Sequence, residues 1–149
     1  MSTNKTAEVL ANLTFSLLAR CQEKEARLAE EHGLFQVEFR CLRLFGVDEN
    51  LNNKAIAKRM ELSPSRLTRV IDGLVKKGYM IREIDPTDRR NMIVSLSRRG
   101  KMLSNKLNKA FVGIHYEILQ DIDNSRHESL ITAMGNLNSA VEKWLQKTK

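Results

Sequence analysis

The chain has 149 residues and carries 25 Lys or Arg against 18 Asp or Glu, a formal charge of +7, so it has room for one compact domain with or without helical extensions. No stretch approaches the ~20 apolar residues that span a bilayer, and the opening MSTNKTAEVL lacks the apolar core of a secretory signal. A soluble cytoplasmic protein with no membrane partner is expected. The charge is unevenly placed: Lys54 to Lys101 holds thirteen Lys or Arg against five Asp or Glu, a balance of +8, and the remainder nets −1. A basic patch confined to one module points to a polyanionic partner.

In chain order, Val9, Leu10, Leu13, Leu17 and Leu18 mark an amphipathic helix that runs to about Glu31. Its second half, QEKEARLAEEH, has few apolar anchors and is expected to be solvated on most sides. Gly33 breaks it. A second helix starts at Leu34, where Phe35, Val37, Phe39, Leu42, Leu44 and Phe45 crowd more than one face, so burial on most sides is expected. Gly46 and Asp48-Glu49-Asn50 end it. Leu51 to Met60 reads as a short third helix with Ala55, Ile56 and Met60 facing inward.

The most informative stretch follows. Ser63 before Pro64 is a strong helix start, a Ser N-cap with Pro at the first helical position. Leu67, Val70, Ile71, Leu74 and Val75 recur at spacings of three and four, while Ser65, Arg66, Thr68, Arg69 and Asp72 keep the other face polar. Gly78 closes this helix after Lys76 and Lys77, whose charges suit the negative end of the dipole. Tyr79 to Ile84 and Met92 to Leu96 then predict a two-stranded hairpin whose turn contains Asp85-Pro86 and whose tip is basic. Two short helices joined by a tight turn make a helix-turn-helix, and the hairpin makes it winged.

Past the hairpin, Ser97 caps a long helix striped by Leu103, Leu107, Phe111, Ile114 and Ile118. A break at Asp121 to Ser125 precedes a last helix, from about Arg126 to Gln146, with Leu130, Met134, Leu137, Val141 and Leu145 at spacings of four and three. The expected fold is mainly α with a small β-hairpin, a winged helix-turn-helix with long N- and C-terminal dimerisation helices. Residues 34–100 form the DNA-binding lobe of a single 1–149 subunit, and 5–32 and 101–147 form the dimerisation region. Those terminal stripes have no further domain to cover, so a homodimer is the economical expectation, and it doubles the DNA contacts.

A helix bearing hydroxyls and Arg on its outer face, followed at once by a hairpin with Arg at its tip, suits two grooves of one duplex. The helix would present Ser63, Ser65, Arg66, Thr68 and Arg69 to the major groove, with Arg69 reading a base edge. Arg90, helped by Arg89, would reach a narrow minor groove. Lys54, Lys58, Arg98 and Arg99 would neutralise phosphates. Two rivals use the same charge: a low-specificity architectural DNA-binding protein, and an interaction module with an acidic partner.

These segments resemble the MarR/SlyA-type bacterial transcriptional regulators over nearly the whole chain. LSPSRLTRVIDGLVKKGYMIR resembles the family's recognition helix, and IDPTDRRNMIVSLSRRGK its wing. Asp88-Arg89-Arg90 is the most specific part: in the family the residue matching Arg90 enters the minor groove, and the one matching Asp88 helps to hold the wing. The resemblance implies a repressor on a pseudo-palindromic operator, released by a small-molecule effector bound between the dimer helices and the DNA-reading lobe. Phe35 departs from the Thr that many relatives carry there, whereas Glu38 fits their Gln or Glu three residues later.

Some relatives sense peroxide through a Cys near the N-terminus, so a thiol-based redox regulator is a further alternative. Cys21 lies beside Arg20 and near Lys24, and Cys41 lies in the crowded second helix; a reactive thiolate needs a basic, partly exposed setting, and the pair is read as inert. His32, His115 and His127 lack ligand-like spacing, so neither metal nor cofactor is expected. There is no Gly-rich phosphate loop, nucleophile motif or apolar carboxylate pair, and no enzyme is expected.

Overall fold

The structure, a computed structural model, describes residues 2–45 and 50–147. Ser2 opens α1 (Thr3–Glu31) by accepting the Lys5 N–H on its hydroxyl. The first half of this helix is rich in apolar residues, yet Val9, Leu10, Leu13, Phe15, Leu17 and Leu18 are all exposed. Its second half is the packed one: Leu28 and Ala29 are buried, and α1 lies against α2 (Gln36–Arg43) there. QEKEARLAEEH is thus packed on one side, through Leu28 and Ala29, while its other positions are half-buried or exposed. Two small or branched residues on one side are enough to seat a helix whose other positions are charged.

Phe35 is the N-cap of α2 rather than part of its buried face, and it is 71% exposed. The buried residues of α2 are Glu38, Phe39, Cys41 and Leu42. The expected termination at Gly46 and Asp48-Glu49 falls outside the described residues.

Leu51 and Asn52 do not begin the third helix. They form β1 (Leu51–Asn52), which pairs antiparallel with β3 (Met92–Leu96) through Leu51↔Val94 and Asn52↔Ile93. Asn52 then turns the chain, accepting the Ala55 N–H on its side chain at 2.8 Å to cap α3 (Asn53–Met60). With β2 (Met80–Ile84) on the other side of β3, the hairpin becomes a three-stranded sheet of order β1-β3-β2. The connection from α3 to α4 (Pro64–Lys76) turns on Glu61, whose φ of 54° is left-handed. Leu62 closes it with an N–H donated to the Ala57 carbonyl.

Gly78 ends α4 at φ +84°, and Tyr79 donates its N–H back to the Leu74 carbonyl, the wrapped terminus that glycine permits. Ile56, Leu67, Ile71 and Leu74 from the helices meet Val94, Leu96 and Met80 from the sheet in one core with Phe39 and Leu42. Ser97 caps α5 (Arg98–Gln120) as expected: its Oγ accepts the Gly100 N–H and donates to the Gly78 carbonyl at 2.6 Å. A Cβ on Gly100 would stand 1.9 Å from the Tyr79 carbonyl oxygen, so this crossing tolerates no side chain.

The chain divides into two units, one through Asn108 and one from Lys109. The second holds the rest of α5, a 3-10 turn (Asn124–Arg126) and α6 (His127–Lys147), which starts one residue later than expected. His127 lies within 3.0 Å of the Leu119 and Ile122 carbonyls and clasps the end of α5. None of α6's described residues is buried, and Ile131, Met134, Val141, Trp144 and Leu145 are exposed. No helix among the described residues is long and apolar enough to cross a membrane.

Candidate nucleic-acid interface

Packing turns one side of α4 outward. Leu67, Val70, Ile71 and Leu74 are in the core, which leaves Ser63, Ser65, Arg66, Thr68 and Arg69 exposed together. Ser63 Oγ accepts the Arg66 N–H at 3.3 Å and lies 3.4 Å from Ser65 Oγ, so the start of the helix is fixed by its own cap. Thr68 donates its hydroxyl to the Pro64 carbonyl at 2.9 Å. Its oxygen lone pairs and its methyl group remain for whatever lies against the face.

One turn on, Asp72 binds Arg82 of β2 at 2.5 Å and joins α4 to the first strand of the wing. With Arg69, Gly73 and Lys76 they line a shallow hollow between helix and sheet. Neither Asp72 nor Arg82 was expected to matter. Asp72 sits on the polar face, but nothing in sequence spacing shows that Arg82 points back at it.

The wing tip is built from two consecutive turns. Asp88 donates its N–H to the Asp85 carbonyl, Asn91 donates to that of Asp88, and Asp85 donates to that of Asn91. Each aspartate also closes a smaller ring with its side chain. Asp85 Oδ1 accepts the Thr87 hydroxyl at 2.7 Å and the Thr87 N–H at 2.9 Å. Asp88 Oδ1 accepts the Arg90 N–H at 3.0 Å. These are the local side-chain bonds that make aspartate a turn residue. The Thr87 hydroxyl and then its N–H hold the Asp85 carboxyl below the usual carboxylate range.

The result is a rigid loop with Arg89 and Arg90 at its apex. Arg90 Nε stands 3.8 Å from Asp88 Oδ1, and its side chain is 96% exposed. Asp88 therefore orders the backbone of the tip while the Arg90 guanidinium extends into solvent.

Among the expected phosphate-neutralising residues, Lys54 and Lys58 are exposed on α3 and Arg98 is exposed at the start of α5. Arg99 is placed differently. Its Nη1 donates to the Lys77 carbonyl at 3.2 Å, and its guanidinium lies over the Tyr79 ring at 5.2 Å. The structure thus gives Arg99 a job at the end of α4.

Beneath this face Glu38 is 3% exposed and pairs with Lys77 at 2.6 Å. Burial, and then the charge of Glu38, push the Cys41 thiol up to about 12. Cys21 is part-buried, with Lys24 Nζ 3.7 Å from its sulfur. Among the described residues no group of three His, Cys, Asp or Glu is arranged to hold a metal.

The MarR family model matches residues 34–92, from the α2 cap to the start of β3. The HTH-type transcriptional regulator SarZ of Staphylococcus epidermidis is 31% identical over 119 residues, covering 80% of this chain and 77% of that protein. Among solved structures, YusO from Bacillus subtilis superposes with a TM-score of 0.74 at 21% identity, covering 94% of this chain and 99% of that one. A MarR mutant from E. coli gives 0.78 at 18% identity, over 86% and 95% of the two chains. The two structural likenesses speak for the fold, and the family match and the SarZ identity for the lineage. The chain belongs to the MarR family and is a DNA-binding transcriptional regulator, not an enzyme.

Proposed function

We infer that the protein is a homodimeric, cytoplasmic repressor that reads a pseudo-palindromic operator through both grooves. What supports this reading most is one arrangement: the exposed Ser65-Arg66-Thr68-Arg69 face of α4 shares a lobe with a self-ordered turn that carries Arg89 and Arg90. Helix and wing are joined through Asp72 and Arg82, so they move as one reading head. Arg69 makes the base-edge contact, since a guanidinium bonds guanine at two points. Arg90 enters the minor groove, where A·T-rich sequence narrows the groove and deepens the negative potential. Lys54, Lys58 and Arg98 lie against phosphates.

Dimerisation is supported by the apolar residues left exposed on α1 and α6. An occupied operator blocks the polymerase, which makes repression the natural outcome. A small-molecule effector releases the protein if it binds one arrangement of the two reading heads more tightly than the other.

Selection of duplexes from a random pool by the purified protein tests the reading. The expected product is an inverted repeat whose half-sites are centred roughly 10 base pairs, or one turn, apart. Binding to it should fall steeply with salt, with a slope of about −0.9 for each phosphate contacted. Enrichment of no sequence, a flat salt dependence, or a monomer by light scattering at micromolar concentration would contradict it.

A further inference from the structure

Glu38 is a buried carboxylate on α2, the helix packed against α4. Its Oε1 accepts the Phe35 N–H at 2.8 Å, closing the cap of α2, and accepts Lys77 Nζ at 2.6 Å. Lys77 is the C-cap of α4, the residue that follows its last helical position, Lys76. The same ammonium donates to the Gly33 carbonyl at 3.1 Å and stands 4.9 Å from the centre of the Phe35 ring. Its donors are turned inward, onto the α1–α2 junction and the start of α2.

The other carboxylate oxygen lies where α4 has no side chain. A Cβ on Gly73 would be 2.7 Å from Glu38 Oε2. Gly73 and Lys77 are four residues apart and share a face of the helix. α4 is thus keyed to α2 at two points, by a missing side chain and by a charge. From the other side, Arg99 holds the Lys77 carbonyl. Rotating α4 would drive a Cβ into Glu38 and strand its charge away from water, which is costly for an ionised group.

We propose that Glu38 and Lys77 are positioning residues for operator recognition: by fixing the rotation of α4 about its axis, they set the angle at which Arg66 and Arg69 meet the bases. Buried ion pairs are weak sources of stability compared with apolar packing, and their best-attested use is to select one geometry. Base readout is sensitive to that geometry, because a bidentate contact needs both nitrogens in register with the base edge. Contacts to phosphates tolerate far more rotation.

The proposal rests on the operator-binding reading above, and the test separates the two. Wild-type affinity is measured first, on the pool-selected operator and on random-sequence duplex. A wild-type protein with no preference overturns both ideas before any variant is made. Glu38→Gln and Lys77→Gln are then compared on the same two duplexes, at a temperature where circular dichroism shows each variant folded.

The expected result for Glu38→Gln is a loss of about tenfold or more on the operator, with random-duplex affinity and the operator salt slope nearly unchanged. The sign is informative. Taking a negative charge out of a basic lobe strengthens DNA binding if charge alone matters, so equal or tighter operator binding overturns the proposal. A lower melting temperature with both affinities unchanged also overturns it, since the pair would then serve folding only. Lys77→Gln should lower the operator preference in the same way; a salt slope reduced by about 0.9 would instead show a direct phosphate contact and count against positioning. If Glu38→Gln fails to fold, the Glu38→Gln/Lys77→Gln double variant, which buries no charge, is judged by the same criteria. A double variant that also fails to fold overturns the proposal in favour of a purely structural pair.

Discussion

Asp72 of α4 and Arg82 of β2 form an ion pair at 2.5 Å, with the Asp72 side chain half exposed. It joins α4 to the wing, the two parts of the molecule proposed to meet DNA. Partly exposed pairs of this kind contribute about 0–1 kcal/mol, so its value lies in alignment. In a double-mutant cycle with Asp72→Ala and Arg82→Ala, the coupling in unfolding free energy should stay below about 1 kcal/mol. The two substitutions should nevertheless weaken operator binding non-additively, because either one already frees the wing from the helix. Strictly additive effects on binding would show that helix and wing read DNA independently.

Gly100 sits where α5 crosses the start of β2. Its missing side chain lets the Tyr79 carbonyl approach, and its N–H completes the Ser97 cap. Gly100→Ala should destabilise the protein by roughly 1–3 kcal/mol or more, despite alanine's better helix propensity. Urea unfolding measures it directly, and a loss below about 0.5 kcal/mol would mean that the crossing opens without strain.

Much of this architecture was readable because its signals are local. Ser63-Pro64 and Gly78 bound α4 within a residue, as a cap and a left-handed terminus must. Asp85-Pro86 marked the wing turn for the same reason. What was not readable depends on partners far along the chain. Leu51 and Asn52 become a strand only because Val94 and Ile93 lie beside them. The packing of Leu28 and Ala29 in α1's charged half depends on where α2 lies, and the stronger apolar stripe is in the other half, which is exposed. At the candidate interface the residue types were visible, but not the bond from Arg99 to the Lys77 carbonyl or the 39-residue reach from Glu38 to Lys77.

The two cysteines should differ sharply towards a thiol reagent. With its thiol pushed up to about 12, Cys41 is thiolate in on the order of one molecule in ten thousand at pH 8. Its burial in α2 further blocks access. Intact-mass analysis of the folded protein after brief labelling at pH 8 should show one adduct, on Cys21, and two adducts only after unfolding. Labelling of Cys41 in the folded protein at a rate like that of Cys21 would show that α2 opens readily. Changing both to Ser should leave operator binding and its response to peroxide unaltered, as the inert reading requires.

Whether α4 and the wing read different grooves is decided by Arg69→Ala and Arg90→Ala, each measured on the selected operator and on a version with G·C pairs under the wing. Arg69→Ala should cost roughly 1–3 kcal/mol and relax the choice of base at one position in each half-site. Arg90→Ala should lose more affinity on the A·T-rich operator than on the G·C version, because its side chain senses groove width. If Arg90→Ala loses equal affinity on both duplexes while Arg69→Ala leaves base preference untouched, the two-groove account is contradicted.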